Sequence, residues 1–200
     1  MLKILFIHGL ASSGQYKMAD MLRMLLKPCE VISPDVPIEP QKAMELVNRI
    51  CEEENPDLIV GMSMGGFIAQ KMRGRRKVLI NPDFHIAKLM STMTGEVKYL
   101  SPRKDGAESF ILDMDTVNGW EKMEEGQFAG LTPEERALSL GFFADADEMV
   151  RCGDEFEAHY PGRGISYPGG HLPTYPQMKQ FIIPAIKEWI QEQTSNLQNL

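Results

Sequence analysis

Serine 63 stands in the sequence GMSMG (residues 61–65), between an apolar run and a segment with helical spacing. The pattern G-x-S-x-G between a strand and a helix is typical of a nucleophile elbow. There the serine has a strained backbone, and the residues two positions away must be small. A helix that begins behind the serine brings partial positive charge to the place where an oxyanion would form. These residues predict a nucleophilic Ser63; the alternative is a serine that caps a helix.

A hydroxyl nucleophile needs a base, and His171 is the best placed of the four histidines. It lies in the sequence PGGHLP (residues 168–173), on a glycine-flanked turn between the last apolar run and a C-terminal amphipathic segment. Such a turn brings the imidazole over the edge of a sheet. His8 follows the first apolar run, and we expect it to bond to the backbone of its own loop instead.

A carboxylate that fixes the imidazole tautomer would complete the set. We select Asp147, which follows the apolar run at residues 137–143 in the sequence ADADEMV (residues 144–150). Asp145 is the first alternative. Asp83 is a further one, because it follows another apolar run. The chain order serine, aspartate, histidine is the order found in α/β-hydrolases.

Two backbone amides are the candidate donors to an oxyanion. One is the N–H of Leu10, in the small-residue sequence HGLASSG (residues 8–14) after the first apolar run. The other is the N–H of Met64, directly after the serine. Glycine and other small residues in the first loop allow its backbone to approach the site closely.

Short apolar runs alternate with amphipathic segments along most of the chain, which predicts a parallel sheet with helices on both faces. Ligands bind such sheets at the carboxyl ends of the strands, where all the candidate residues fall. The predicted strands are Lys3–Ile7, Glu30–Ser33, Asp57–Gly61, Lys77–Asn81, Ala137–Phe143 and Gly164–Tyr167. The predicted helices centre on residues 18–25, 40–51, 63–73, 149–159 and 175–193.

Residues 83–133 interrupt this alternation. They have no strand signal, are rich in methionine, and are expected to form broken helices and loops. The whole chain, residues 1–200, is predicted to be one domain in which this segment is a small helical lid or insertion. Its methionines, from Met90 to Met123, are candidates to line an apolar pocket for an acyl chain.

Composition narrows the classes of partner. The formal net charge of −7 disfavours nucleic acids and anionic membranes as partners. Three widely spaced cysteines form neither a disulfide framework nor a metal motif. The first apolar run is too short for a signal peptide, and no run is long enough to span a membrane, so a cytoplasmic protein is expected. The chemistry sketched above needs no metal or organic cofactor.

Five segments together resemble the α/β-hydrolases and, more narrowly, the small YqiA-like esterases. They are His8–Leu10, Gly61–Gly65, Asn81-Pro82, Ala144–Val150 and Gly169–His171. The resemblance extends over nearly the whole chain. It implies a minimal, mainly parallel six-stranded sheet, in which the six predicted strands have the order 2-1-3-4-5-6. The loop of Leu10 would then lie beside the elbow.

The resemblance also implies esterase activity on short acyl substrates. The expected function is therefore hydrolysis of a small carboxylic ester or thioester through an acyl-enzyme. Thioesterase or acyltransferase activity on acyl-CoA-type substrates is one alternative, because the same triad serves these reactions. A non-catalytic binding protein with a hydrolase fold is the other.

Overall fold

The structure is a computed structural model that describes residues 2–198, with side chains described as far as residue 191. Its strands are β1 (Lys3–Ile7), β2 (Glu30–Ile32), β3 (Leu58–Met62), β4 (Lys77–Ile80), β5 (Gly95–Lys98), β6 (Ser109–Leu112), β7 (Ser139–Ala144) and β8 (Gly164–Tyr167). The helices are α1 (Lys17–Leu25), α2 (Pro40–Glu54), α3 (Met64–Lys71), α4 (Ile86–Ser91), α5 (Met114–Glu124), α6 (Pro133–Ala137), α7 (Gly153–His159), α8 (Tyr175–Gln177) and α9 (Ile183–Gln198).

Six strands form one sheet in the order β2-β1-β3-β4-β7-β8, and every neighbouring pair is parallel. This confirms the predicted fold class and strand order. Strand β1 lies between β2 and β3, so its C-terminal loop emerges beside the loop after β3. The carboxyl ends of β1, β3, β4, β7 and β8 therefore share one edge of the sheet.

Apolar residues cover both faces of the sheet because alternate residues of each strand point to opposite sides. On one face Leu5, Ile59 and Leu79 pack in a core with helices α2 to α5 and α7. On the other, Phe6 and Val60 pack against α1 and the C-terminal helices. The central strand β3 is buried along its whole length, as expected for a sheet covered on both sides.

The segment between β4 and β7 corrects one prediction. It was expected to contain no strand, yet β5 and β6 form an antiparallel two-stranded hairpin in which Val97 pairs with Phe110. Four-residue strands are too short to give a clear alternation, and only Val97 of β5 is buried. A ten-residue connection also separates the strands, so no tight-turn signal marks them.

Further boundaries differ from the prediction: those of β2, β3 and β4 by one residue, and those of β7 and α7 by more. Residues 133–137 form α6, with Thr132 as its N-cap, so β7 begins at Ser139 instead of residue 137. Helix α7 begins at Gly153 instead of residue 149, since residues 145–152 form a loop that holds Asp147.

At the C-terminus a π-helical turn, Met178–Ile182, separates α8 from α9. Pro184, which has no N–H to donate within a helix, follows two residues after the end of this turn.

No helix in the described part of the chain combines the length and the apolarity that a membrane span requires.

A buried ion pair joins α6 to the amino end of β4. Lys77 Nζ lies 3.0 Å from Glu135 Oε1, with side-chain exposures of 1% and 13%. The Glu135 carboxylate also accepts a hydrogen bond from the amide of Gly74. Burial lowers the pKa of Lys77, and Glu135 opposes that effect.

Removing one member of this pair should destabilise the fold more than removing both. We expect Glu135→Ala to lower the free energy of unfolding by about 3 kcal/mol, because it leaves the Lys77 ammonium buried without its counterion. The double variant Lys77→Met, Glu135→Leu should recover most of that loss. Urea denaturation checks both; a single variant as stable as the wild type would contradict this view of the pair.

Candidate active site

Ser63 has the strained backbone predicted for a nucleophile elbow. Its φ is 54° and its ψ is −121°, between the end of β3 and the start of α3. Positive φ is uncommon for a residue with a side chain and costs about 1–3 kcal/mol. A Cβ on Gly65 would clash with the carbonyl of Ile7, and one on Gly61 would clash with the carbonyl of Gly65. The two glycines of the motif are thus required by close backbone contacts.

The loops after β7 and β8 bring Asp147 and His171 together. His171 Nδ1 lies 2.8 Å from Asp147 Oδ2, and the aspartate is 2% exposed. The other oxygen, Oδ1, accepts hydrogen bonds from the amides of Met149 and Val150, both at 2.9 Å. Three donors therefore hold this carboxylate, which leaves His171 Nε2 as the ring nitrogen available to a nucleophile.

The two alternative acids have other partners. Asp145 is exposed, and its Oδ1 accepts a hydrogen bond of 3.0 Å from the amide of Gly169. Asp83 is buried, and its Oδ1 accepts one of 3.0 Å from the amide of His85. Burial raises the pKa of Asp83, and that hydrogen bond opposes the effect. Of the three predicted candidates, only Asp147 is hydrogen-bonded to His171.

Ser63 and His171 line the same cavity. Within residues 2–191 no hydrogen bond joins the Ser63 hydroxyl to the imidazole. Contacts of this kind are often long in an enzyme without its substrate and shorten when the substrate binds.

The two candidate oxyanion donors, the amides of Leu10 and Met64, belong to segments next to Ser63. Gly9 is so close to the elbow that a Cβ there would lie 3.2 Å from Ser63 Cβ, so the β1 loop passes directly over the serine. Leu10 lines the cavity with Ser63, and Met64 is the first residue of α3. Neither amide has a hydrogen-bond acceptor among the residues that the structure describes. First-turn amides of a helix generally lack one.

His8 supports the β1 loop as a neutral ring. Its Nε2 accepts a hydrogen bond of 2.9 Å from the amide of Val36, so that nitrogen has no proton. Its Nδ1 then donates to the carbonyl of Gly9 at 2.8 Å. The ring is 2% exposed, and burial lowers its pKa to about 4. His8 thus bonds to backbone, as expected from the sequence.

The cavity at Ser63 has a volume of about 380 Å³ and an almost entirely apolar wall. Its floor comes from the elbow and the β1 loop, including Leu10 and Met62. Its far side comes from α4 and the hairpin through Leu89, Met93 and Val97. Such a cavity suits the hydrocarbon part of a small molecule. Three exposed apolar side chains, Leu100, Met149 and Leu172, also line it.

The sequence predicts the polar residues that the structure brings together here, but not the wall of the cavity. Of the four methionines predicted to line an acyl pocket, only Met93 lines this cavity. Met90 is buried in the core, Met114 is 52% exposed, and Met123 packs against the core. The hairpin residues had no recognisable pattern. Leu172 could have been found, because it directly follows the candidate base.

Among the described residues, no three His, Cys, Asp or Glu side chains lie close enough together to hold a metal ion.

Comparison of the sequence with protein families gives one match. Residues 3–123, more than half of the chain, match the uncharacterised protein family UPF0227. The chain belongs to the UPF0227 family. This confirms the YqiA-like resemblance noted from the sequence. No curated protein shows significant sequence similarity to the chain.

Solved α/β-hydrolase structures share the fold of this UPF0227 protein at low sequence identity. Est1E from Butyrivibrio proteoclasticus, solved with ferulic acid, is 15% identical with a TM-score of 0.68, over 98% of this chain and 90% of Est1E. Mouse alpha/beta hydrolase domain-containing protein 10 is 16% identical with a TM-score of 0.61, over 95% and 90%. The methylesterase MES16 from Arabidopsis is 10% identical with a TM-score of 0.60, over 96% and 99%. At these identities the likeness shows the fold.

The neutral state of His8 predicts a pH dependence of stability. The pKa of His8 is about 4 in the folded protein, against 6.5 for an ordinary histidine. Between pH 4 and pH 6.5 the unfolded chain therefore binds more protons than the folded protein. The contribution of neutral His8 to the free energy of unfolding is complete above about pH 6.5 and is lost as the pH falls to 4. Its full size is about 3 kcal/mol.

Replacing His8 should remove its contribution to the pH dependence of the free energy of unfolding. Urea denaturation at several pH values between 7 and 4 should give a shallower decline for His8→Gln than for the wild type. His85→Gln is the matched control for the substitution itself, because His85 is exposed and its pair with Glu155 lies at the surface, where such pairs contribute little. Equal slopes for His8→Gln and the wild type would show that His8 is not the group responsible.

Proposed function

We propose that this protein is a serine hydrolase that cleaves a carboxylic ester or thioester with an apolar acyl group. Ser63 is the nucleophile, His171 the base and Asp147 the acid that orients the base. The observation that supports this most is the conjunction of a strained Ser63 and an Asp147-bound His171 in one apolar cavity. The fold shared with solved hydrolases is consistent with it.

In this proposal His171 Nε2 removes the proton of Ser63 as Oγ attacks the acyl carbon. The amides of Leu10 and Met64 stabilise the negative charge that develops on the carbonyl oxygen. The protonated imidazole then donates its proton to the leaving oxygen or sulfur as the bond to the acyl carbon breaks. His171 then removes a proton from water, which attacks the acyl carbon of the acyl-enzyme. As the bond to Ser63 Oγ breaks and the carboxylic acid leaves, the protonated imidazole returns that proton to Ser63.

The acyl group would occupy the cavity between the β1 loop and the hairpin. In this proposal residues 83–133 act as a substrate-binding insertion of a single catalytic domain. The hairpin is tied to the β1 loop, since the amide of Leu100 donates to the carbonyl of Ala11 at 2.7 Å and the hydroxyls of Ser13 and Ser101 are 2.9 Å apart. An apolar chain would thus be held beside the Leu10 amide.

Loss of the nucleophile tests the reaction. Ser63→Ala should lower kcat for p-nitrophenyl hexanoate by about 10³-fold or more, because only binding and the oxyanion donors remain. Ser139→Ala is a suitable control, since Ser139 is a buried serine at the amino end of β7 and does not line the cavity. Unchanged hydrolysis by Ser63→Ala would reject the proposal.

The apolar cavity predicts a preference for acyl chains longer than acetyl. Each buried methylene contributes about 0.8 kcal/mol, or roughly fourfold in binding. Across a series of p-nitrophenyl esters, kcat/KM should therefore be at least about tenfold higher for hexanoate than for acetate. A series that peaks at acetate would contradict an acyl role for the cavity.

A filled cavity should remove that preference. Val97→Phe adds bulk to the wall and should lower kcat/KM for hexanoate while leaving acetate nearly unchanged. Ile111→Phe is the matched control, because Ile111 lies on the other hairpin strand, is 65% exposed and does not line the cavity. It should retain the wild-type profile.

A further inference from the structure

Asn81 is a buried hydrogen-bonding residue at the edge of the sheet where the candidate site lies. It directly follows β4 and is 2% exposed. Its Nδ2 donates to the carbonyl of His171 at 2.7 Å and lies 3.4 Å from the carbonyl of Gly170. Its Oδ1 accepts a hydrogen bond of 2.8 Å from the amide of Ala144, the last residue of β7.

These partners fix the orientation of the amide. Two carbonyl oxygens face the nitrogen, and a backbone N–H faces the oxygen, so a reversed amide would lose all three contacts. The same nitrogen also donates to the hydroxyl of Tyr167 at 2.8 Å. Burial raises the pKa of Tyr167 to about 12, so its hydroxyl stays neutral. One side chain is thus bonded to the ends of two other strands.

The backbone of Asn81 restricts which residues fit this position. Its φ is 42°, in the left-handed region that asparagine and glycine accept more readily than other residues. Its amide donates to the carbonyl of Phe142 on β7, which holds it against the neighbouring strand. Position 81 therefore combines a strained backbone with a fully used side chain, a combination that clusters at functional sites.

The contacts of Asn81 connect the two loops that supply the candidate acid and base. Ala144 begins the loop that holds Asp147, and His171 lies on the loop after β8. Apart from the bond between Asp147 and His171 themselves, the other links between these loops are hydrogen bonds near the exposed Asp145, such as that from the amide of Ala146 to the carbonyl of Gly169 at 2.9 Å. Asn81 provides a second buried connection between them, independent of the two candidate side chains.

We propose that Asn81 is a positioning residue that sets the His171 turn relative to the Asp147 loop, an inference that rests on the proposed function. Asn81 acts through the backbone of both loops and does not touch the acyl group, since it is not part of the wall of the Ser63 cavity. A misplacement of about 1 Å at a reacting group can lower a rate by about 10²-fold. Loss of Asn81 therefore affects the chemical step more than substrate binding.

Two substitutions separate the parts of this role. Asn81→Gly accepts the left-handed backbone and removes every side-chain contact. Asn81→Asp keeps the shape and the acceptor for Ala144 but places an oxygen against the carbonyl of His171. Both should lower kcat for p-nitrophenyl hexanoate at least about tenfold, with KM changed less than about threefold. Tyr167→Phe, which keeps the contacts of Asn81 with both loops, should remain within about threefold of the wild-type kcat.

The readout must distinguish misplacement from partial unfolding. Thermal melts establish that each variant is folded, and kcat is expressed per active site titrated with a fluorophosphonate. A loss of kcat per titrated site, at nearly constant KM, supports the inference. Wild-type kcat per titrated site in either Asn81 variant overturns it. A different experiment tests the proposed function itself. If that function is wrong, the Ser63→Ala variant will keep the wild-type activity, whatever the Asn81 variants show.

Discussion

Close contact between the start of helix α3 and the end of strand β1 is the constraint on which the rest of the site depends. Gly65 lies against the carbonyls of Ile7 and His8, where no side chain fits. The contact requires β1 and β3 to be neighbours, which the sheet order provides. It also brings the β1 loop close to Ser63, since a Cβ on Gly9 would lie 3.2 Å from Ser63 Cβ. The strain at Ser63 is tolerated because the surrounding packing leaves its backbone no alternative.

Buried polar groups hold the loops around this contact, and each has defined partners. His8 fixes the β1 loop to the segment after β2 through Val36, and it does so only as a neutral ring. Asp147 has three donors, one of which is His171. A low-dielectric surrounding strengthens such bonds and also makes an unpaired group costly. The site is thus rigid at its polar edge and apolar at the face where a substrate would enter.

Features that depend on residues close together in the sequence could be predicted, whereas features that depend on contacts between distant residues could not. Strands such as β1 and β8 were predicted to the residue, since short apolar runs bounded by glycine and proline are local signals. The elbow and the choice of Asp147 instead of Asp145 as the partner of His171 followed from the positions of these residues relative to β3, β7 and β8. The hairpin of β5 and β6 was missed, because its stability comes from packing of residues such as Val97 against distant elements. The contacts of Asn81 join strands far apart in the chain and leave no local pattern either.

The reactivity of the Ser63 hydroxyl is the property on which the proposed mechanism depends most directly. Treatment with a fluorophosphonate probe, followed by peptide mapping by mass spectrometry, reports which residue is labelled. We expect the label on Ser63 of the wild-type protein and its loss in His171→Ala, because the serine is reactive only with its base. Absence of label on Ser63, or equal labelling in the two proteins, would contradict the account.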